Sequence, residues 1–212
     1  MQIRRHDLFT TPLWIFDFNT SDPILHHRVY DDRQVREQRL AKLFLDNENN
    51  PDFDRKAHVF SFLEEDGSGI SRLKAVVTAA VHAVGKDQAW PMDRLSIKVS
   101  GRSQVLMPGQ SDSPHNHASS LVGVYYVDVP ENSGDILLQD TRGFVNFLWQ
   151  DKYITPENQK STRVSHRITP KPNTLILFPH YVVHSVETNK SDRLRISVAL
   201  NITIEDPTYV QY

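Results

Sequence analysis

The chain has 212 residues, a formal charge of −2 at neutral pH and no cysteine. At this length about 70–75% of the unfolded chain's surface can be buried on folding, so neither disulfides nor a structural metal is needed for stability. The balance of 24 basic against 26 acidic residues offers no long-range field to gather nucleic acid or anionic lipid, and the missing cysteines exclude thiolate metal sites, iron–sulfur clusters and cysteine nucleophiles, leaving His and carboxylates as metal ligands.

The N-terminal stretch Met1 to Trp14 carries charges but lacks the continuous apolar run of a secretory signal. The longest weakly polar run, Ala75 to Gly85, is far short of the ~20 residues of a bilayer span. The expectation is a soluble cytoplasmic protein with no membrane or nucleic-acid partner; a homodimer stays open.

Along the chain, Asp31 to Asp46 and Ile70 to Val84 read as amphipathic helices. In the second, Ile70, Leu73, Val77, Val81 and Val84 recur at three-to-four spacing behind Ser68 as N-cap, and His82 within it is read as structural. From about Asp93 the period shortens. Strands are expected at Leu95 to Val99, Val105 to Met107, Leu121 to Val129, Asp135 to Gln139, Thr162 to Ile168, Thr174 to Phe178, Val182 to Glu187 and Arg193 to Ile204, with turns at Pro108-Gly109, Asn132-Ser133-Gly134 and Lys171-Pro172-Asn173. Short strands at such spacing predict a sandwich or barrel of the jelly-roll kind. The organisation is therefore one domain over residues 1–212, mainly β, with packed N-terminal helices as support over 1–92 and the β core over 93–204.

The last strand alternates without a break. Leu194, Ile196, Val198, Leu200, Ile202 and Ile204 fall on one face, and Arg193, Arg195, Ser197, Ala199, Asn201 and Thr203 on the other. Taken alone, this reads as a surface strand whose polar face is solvated.

Three of the ten histidines form a pattern. His115 and His117 stand two apart in Ser-Pro-His-Asn-His; on an extended backbone such residues share a face about 6.5 Å apart, within reach of one ion. His184 follows in Phe-Pro-His-Tyr-Val-Val-His184. Three imidazoles with open positions suit iron, zinc or copper, and the commonest related set is two His and one carboxylate around non-heme Fe(II). Alone, His-x-His is a weak signal, but Arg195 and Ser197 come soon after His184, at a spacing that grips a carboxylate by a guanidinium fork and a hydroxyl.

Taken in order, His115-x-His117, Gly123-Val-Tyr-Tyr-Val127, Ser133-Gly-Asp-Ile-Leu, Asp140-Thr-Arg142, Pro170 to Pro179, His184 and Arg195-Ile-Ser-Val-Ala-Leu-Asn201 resemble the 2-oxoglutarate and Fe(II)-dependent oxygenases, in particular their small bacterial and phage branch related to prolyl hydroxylases. The resemblance covers about residues 93–204. It implies a double-stranded β-helix, Fe(II) and 2-oxoglutarate as cofactors, O2 as co-reactant and hydroxylation of a small-molecule or protein substrate. Carried over by position, the metal ligands are His115, His117 and His184; the distal carboxylate of 2-oxoglutarate falls to Arg195 with Ser197 and Tyr126, and Arg193 is the alternative clamp. His117 departs from the family's usual carboxylate, with Asp112 and Asp135 as substitutes. A cupin-like metal enzyme fits less well, because Leu121 and Val122 stand where its glutamate belongs and Tyr181 where its glycine does; a non-catalytic jelly-roll module is the remaining alternative. The segment from Arg142 to His166, with Trp149, Tyr153 and Arg163, is the expected lining of the mouth. No residue there names a substrate.

Overall fold

The computed structural model describes residues 10–18, 68–140 and 165–208. Within them lie strand β1 (Trp14–Asp17), helix α1 (Ser68–Asp87), β2 (Ser96–Leu106), β3 (Asp112–His115), β4 (Leu121–Asp128), β5 (Ile136–Gln139), β6 (Ser165–Ile168), β7 (Thr174–Pro179), β8 (Val183–Val186) and β9 (Arg195–Glu205). A five-stranded sheet runs β1-β7-β4-β9-β2 and a four-stranded sheet β3-β8-β5-β6, with antiparallel pairing throughout.

The larger sheet is covered on both faces. Toward α1 it presents Leu121, Tyr125, Leu175, Leu177, Ile196, Val198, Leu200 and Ile202, which pack with Leu73, Val77, Ala80, Val81 and Val84 of the helix. Toward the smaller sheet it presents Val122, Val124, Tyr126, Ile176 and Phe178, which pack with Ile136 and Leu138 of β5. Two antiparallel sheets closed over one apolar interior form the jelly roll that the strand spacing predicts. Because β4 is sandwiched between both cores, all eight of its residues are buried, and the alternation an exposed strand would show is absent.

Several boundaries differ from expectation. The expected strands at Leu95 to Val99 and Val105 to Met107 are one strand, β2, because the polar stretch between them still pairs residue for residue with β9, Gly101 opposite Leu200 and Arg102 opposite Ala199. β3 was hidden by Ser113-Pro114, which lacks strand-forming side chains; an edge strand tolerates proline because one row of its amides needs no ladder partner. β1 falls within the segment expected to be helical support, yet pairs Trp14 with Leu177 and Phe16 with Leu175, while Trp14 Nε1 donates to Asp87 Oδ2 at the end of α1. The polar face of β9 is not solvated: Arg195 and Ser197 are both 0% exposed. That face turns into the interior, so the surface-strand reading is corrected. The expected helix at Asp31 to Asp46, the start of the strand at Thr162 and the segment containing Trp149, Tyr153 and Arg163 lie outside the described residues.

The turn into β5 needs glycine for two reasons. Gly134 has φ of +93°, and a Cβ there would meet the Glu187 carbonyl oxygen at 2.3 Å. Gly109, with φ of +84°, has open space around it. A positive φ alone costs about 1 kcal/mol for an ordinary residue, whereas a backbone clash adds strain of about 1–3 kcal/mol. Gly134→Ala is therefore expected to lower the urea unfolding midpoint clearly more than Gly109→Ala; equal shifts would contradict the packing of this turn against β8.

Candidate metal and 2-oxo acid site

The three histidines converge through strand register. His115 closes β3 and stands directly opposite His184 of β8, while His117 follows two residues after β3 ends. One ring nitrogen from each lies within 4.8 Å of the other two, and the ring centroids are 4.4 Å apart for His115–His184, 5.1 Å for His115–His117 and 5.2 Å for His117–His184. An ion held at roughly 2.0–2.1 Å by imidazole nitrogens is reached from here by small side-chain rotations.

Backbone carbonyls orient two of the rings. The Nδ1 of His115 lies 2.7 Å from the Ser113 carbonyl and that of His184 lies 3.1 Å from the Val182 carbonyl. A carbonyl only accepts, so each Nδ1 carries the proton and each Nε2 keeps its lone pair for a metal. Phe178 stands edge-on to His184 at 5.0 Å, giving the ligand an apolar wall. Burial lowers His184 to a pKa of about 4 against the backbone bond that favours its charged form; burial, with the His115 and Arg102 charges behind it, also lowers His117. Both imidazoles are thus held in the neutral form that ligates.

The substitute carboxylates stand elsewhere. Asp112 accepts a hydrogen bond from Gln104 Nε2, and Asp135 lies 3.3 Å from Arg167, which also reaches Glu187 at 2.7 Å. Neither joins the group of potential ligands, which is His115, His117 and His184.

The second half of the site is a buried cation. Arg195 has one nearby acceptor, Ser197 Oγ at 3.5 Å from its NH1, and its Nε and NH2 have no partner. Its guanidinium carbon lies 5.5 Å from the centre of the Tyr126 ring. Tyr126 is opposite Ser197 in the β4–β9 register; its hydroxyl is also buried without a partner, and burial raises its pKa far above the usual range. Burial lowers the pKa of Arg195, while Tyr126 and the more distant Asp112 and Asp135 favour its charge. A guanidinium removed from water with donors unmet calls for an anion. Arg193, the alternative clamp, is instead half-exposed and bound to Asp128 at 2.8 Å, which removes the need for a further anion there.

One polar residue escaped the sequence reading. Thr174 begins β7, next to Leu175, which pairs with Tyr125, and its buried Oγ1 also lacks a partner. The signal was available: Thr174 alternates with Ile176 and Phe178, which face the interior. Arg195, Ser197, Tyr126 and Thr174 together offer cation and hydroxyls at one side of an otherwise apolar chamber, a donor set suited to a carboxylate.

The lowered pKa of His184 makes the metal-free fold pH-sensitive. Unfolded, its imidazole takes up a proton near pH 6.5; folded, it does so near pH 4. Between these values the unfolded state binds more protons, so stability rises as pH rises from about 4 to 6.5. Thermal melts of chelator-treated protein across this window are expected to show that rise, and His184→Gln is expected to flatten it; an unchanged slope in the variant would contradict the placement of His184.

Residues 103–201 match the model of a family described as putative 2OG-Fe(II) oxygenase. No curated protein matches the sequence. Among solved structures, the non-heme monooxygenase ThoJ, crystallised with nickel, aligns with a TM-score of 0.57 at 12% identity over 93% of this chain and 76% of its own. AviO1 from Streptomyces viridochromogenes Tue57 aligns with a TM-score of 0.55 at 13% identity over 90% and 88%. These two carry the fold likeness. The chain spans only 46% of the length of a 2OG-Fe(II) oxygenase family oxidoreductase from Burkholderia pseudomallei, which aligns over 52% of this chain at 12% identity and a TM-score of 0.40, too little to bear on the fold. Over residues 103–201, just under half of the chain, the sequence is thus similar to the 2OG-Fe(II) oxygenases, and the two structures share its fold.

Proposed function

We propose that the protein is a dioxygenase that uses Fe(II) and 2-oxoglutarate to hydroxylate an organic substrate, with His115, His117 and His184 holding the metal and Arg195 holding the distal carboxylate of 2-oxoglutarate. The observation that carries the reading is a convergent imidazole triad on the smaller sheet, together with a fully buried guanidinium on the facing sheet whose Nε and NH2 lack partners among the described residues. A metal enzyme without an anionic cosubstrate accounts for the first and leaves the second unexplained.

Bound there, the iron and 2-oxoglutarate supply oxidative decarboxylation by O2 to succinate and CO2, with the second oxygen atom inserted into a substrate C–H bond. The chain's own residues position and exclude. The Nδ1 bonds to Ser113 and Val182 fix the faces that His115 and His184 present. Ser197, Tyr126 and Thr174 add neutral hydroxyls beside Arg195, so a carboxylate there meets one full charge and several donors rather than water. Val122, Val124, Ile136, Leu138, Ile176 and Phe178 line the interior with apolar surface, lowering the local dielectric and strengthening that contact. The three-imidazole set leaves the metal more positive than two imidazoles and a carboxylate would, which shifts affinity and redox tuning.

No helix among the described residues is long and apolar enough to cross a membrane. The reading sets the protein in the cytoplasm, where 2-oxoglutarate and reduced iron are both supplied. The substrate is an organic molecule or a protein side chain.

Two experiments test this assignment. Anaerobic titration of 2-oxoglutarate into Fe(II)-loaded protein is expected to show Arg195→Met weakening binding by roughly 30-fold or more, since truncating one partner of a desolvated charge pair costs about 2–5 kcal/mol. Arg193→Ala is expected to change it little, because that side chain is engaged with Asp128. Equal small effects would refute the clamp. In the second, His184→Ala abolishes stoichiometric Fe(II) binding while circular dichroism stays β-rich, and His117→Asp retains it by supplying the commoner carboxylate; full Fe(II) content in His184→Ala would remove that residue from the triad.

A further inference from the structure

On the interior face of the larger sheet, Lys98 is bound to Glu205, whereas Arg102 lies outside the clamp with no acid bound among the described residues. The β2–β9 register puts Arg102 opposite Ala199, between Gln104 opposite Ser197 and Ser100 opposite Asn201. Directly opposed residues of antiparallel strands share a face, so Ser100, Arg102 and Gln104 turn the same way as Ser197, toward the smaller sheet. Gln104 shows where that direction leads: its amide donates to Asp112 on β3, the strand that ends in His115. Both strands are at sheet edges, β2 last in the larger sheet and β3 at the end of the smaller. Arg102 therefore stands at the open edge of the sandwich, beside the segment carrying His115 and His117.

Two features of Arg102 bear on its role. It makes no hydrogen bond or ion pair with any described residue and is exposed, although the strand register turns it toward the smaller sheet. And the acid on that side, Asp112, is already held by Gln104.

The acids near the site are already engaged. Fe(II) and 2-oxoglutarate carry opposite charges of equal size, and three neutral imidazoles add none. Asp112 and Asp135 both act on Arg195, and Asp112 is held by Gln104, so Arg102 keeps its charge without an ion pair among the described residues; a carboxylate in place of His117 would have stood close to it. We propose that Arg102 anchors an anionic group of the substrate, a carboxylate or phosphate monoester, and that this enzyme oxidises small organic anions that enter over the β2–β3 edge. The inference rests on the oxygenase reading above and narrows its substrate class. A planar guanidinium binds either group through two parallel hydrogen bonds, and at the rim of a low-dielectric chamber such a contact selects charge as well as shape.

The test uses Fe(II)-loaded protein saturated with 2-oxoglutarate and kept free of oxygen, so that Arg195 and the metal are engaged. Calorimetric titrations compare hippurate with its neutral primary amide, and phenyl phosphate with phenol. At least one anion is expected to bind roughly tenfold or more tighter than its neutral counterpart, and which of the two does so distinguishes carboxylate from phosphate. Arg102→Met is expected to bring each pair within about twofold, with Arg102→Lys retaining part of the preference and 2-oxoglutarate affinity staying at the wild-type value in both. A preference that survives in Arg102→Met, equal binding of anion and neutral partner by the wild type, or no binding of either anion would each overturn the proposal. Failure of the wild type to bind 2-oxoglutarate would instead sink the oxygenase reading.

Discussion

A guanidinium withdrawn from water sets the terms for the rest of this structure. Arg195 has no exposed surface and one weak internal acceptor, and an isolated buried charge costs several kcal/mol unless it is paired. The fold leaves it little choice. β9 runs through the larger sheet between β4 and β2, its apolar face is committed to α1 through Ile196, Val198, Leu200 and Ile202, and a period of two then drives Arg195 and Ser197 inward. Exposing Arg195 by a one-residue slip would expel that whole apolar row from the helix interface. The helix-facing core therefore holds the cation in place, and the hydroxyls of Tyr126 and Thr174, without partners among the described residues, are further donors for the carboxylate proposed there.

The metal half obeys a different constraint. It depends on two strands from distant parts of the chain meeting in register, His115 opposite His184, with a bulge or irregularity between Asp112 and His115 that redirects the end of β3. In the proposed triad all three ligands are neutral imidazoles, so an ion held there would have no carboxylate beside it. On the proposed reading that difference links the triad to Arg102: a site without the usual carboxylate, with a further cation at its edge, suits substrates that bring negative charge with them.

Much of this was legible in the sequence, unevenly and for physical reasons. The strict alternation over Arg193 to Ile204 identified β9, and the order of the motifs singled out the three histidines that the structure brings together and the arginine that it buries. Alternation alone could not say whether the polar face of β9 met water or an interior, because a solvated strand and one facing a lined chamber have the same period; burial of Arg195 and Ser197 decided it. The choice between Arg193 and Arg195 likewise turned on one contact, Arg193 with Asp128, formed by residues 65 apart in the chain. β3 and β1 were missed because each is short and at a sheet edge, where Pro114 or an isolated aromatic pair suffices. Thr174 was missed because a threonine opening a strand is ordinary until its neighbours are known to be Tyr126 and the interior.

The central claim is that the imidazole triad and Arg195 serve one ligand between them. Anaerobic addition of 2-oxoglutarate to Fe(II)-loaded protein tests it most directly, read by the visible charge-transfer absorption that a 2-oxo acid chelated to Fe(II) produces. The account predicts a band that saturates at one equivalent with 2-oxoglutarate and is absent with glutarate, which keeps both carboxylates but lacks the oxo group. No band with 2-oxoglutarate, in protein shown to hold one Fe(II) per chain, would contradict it.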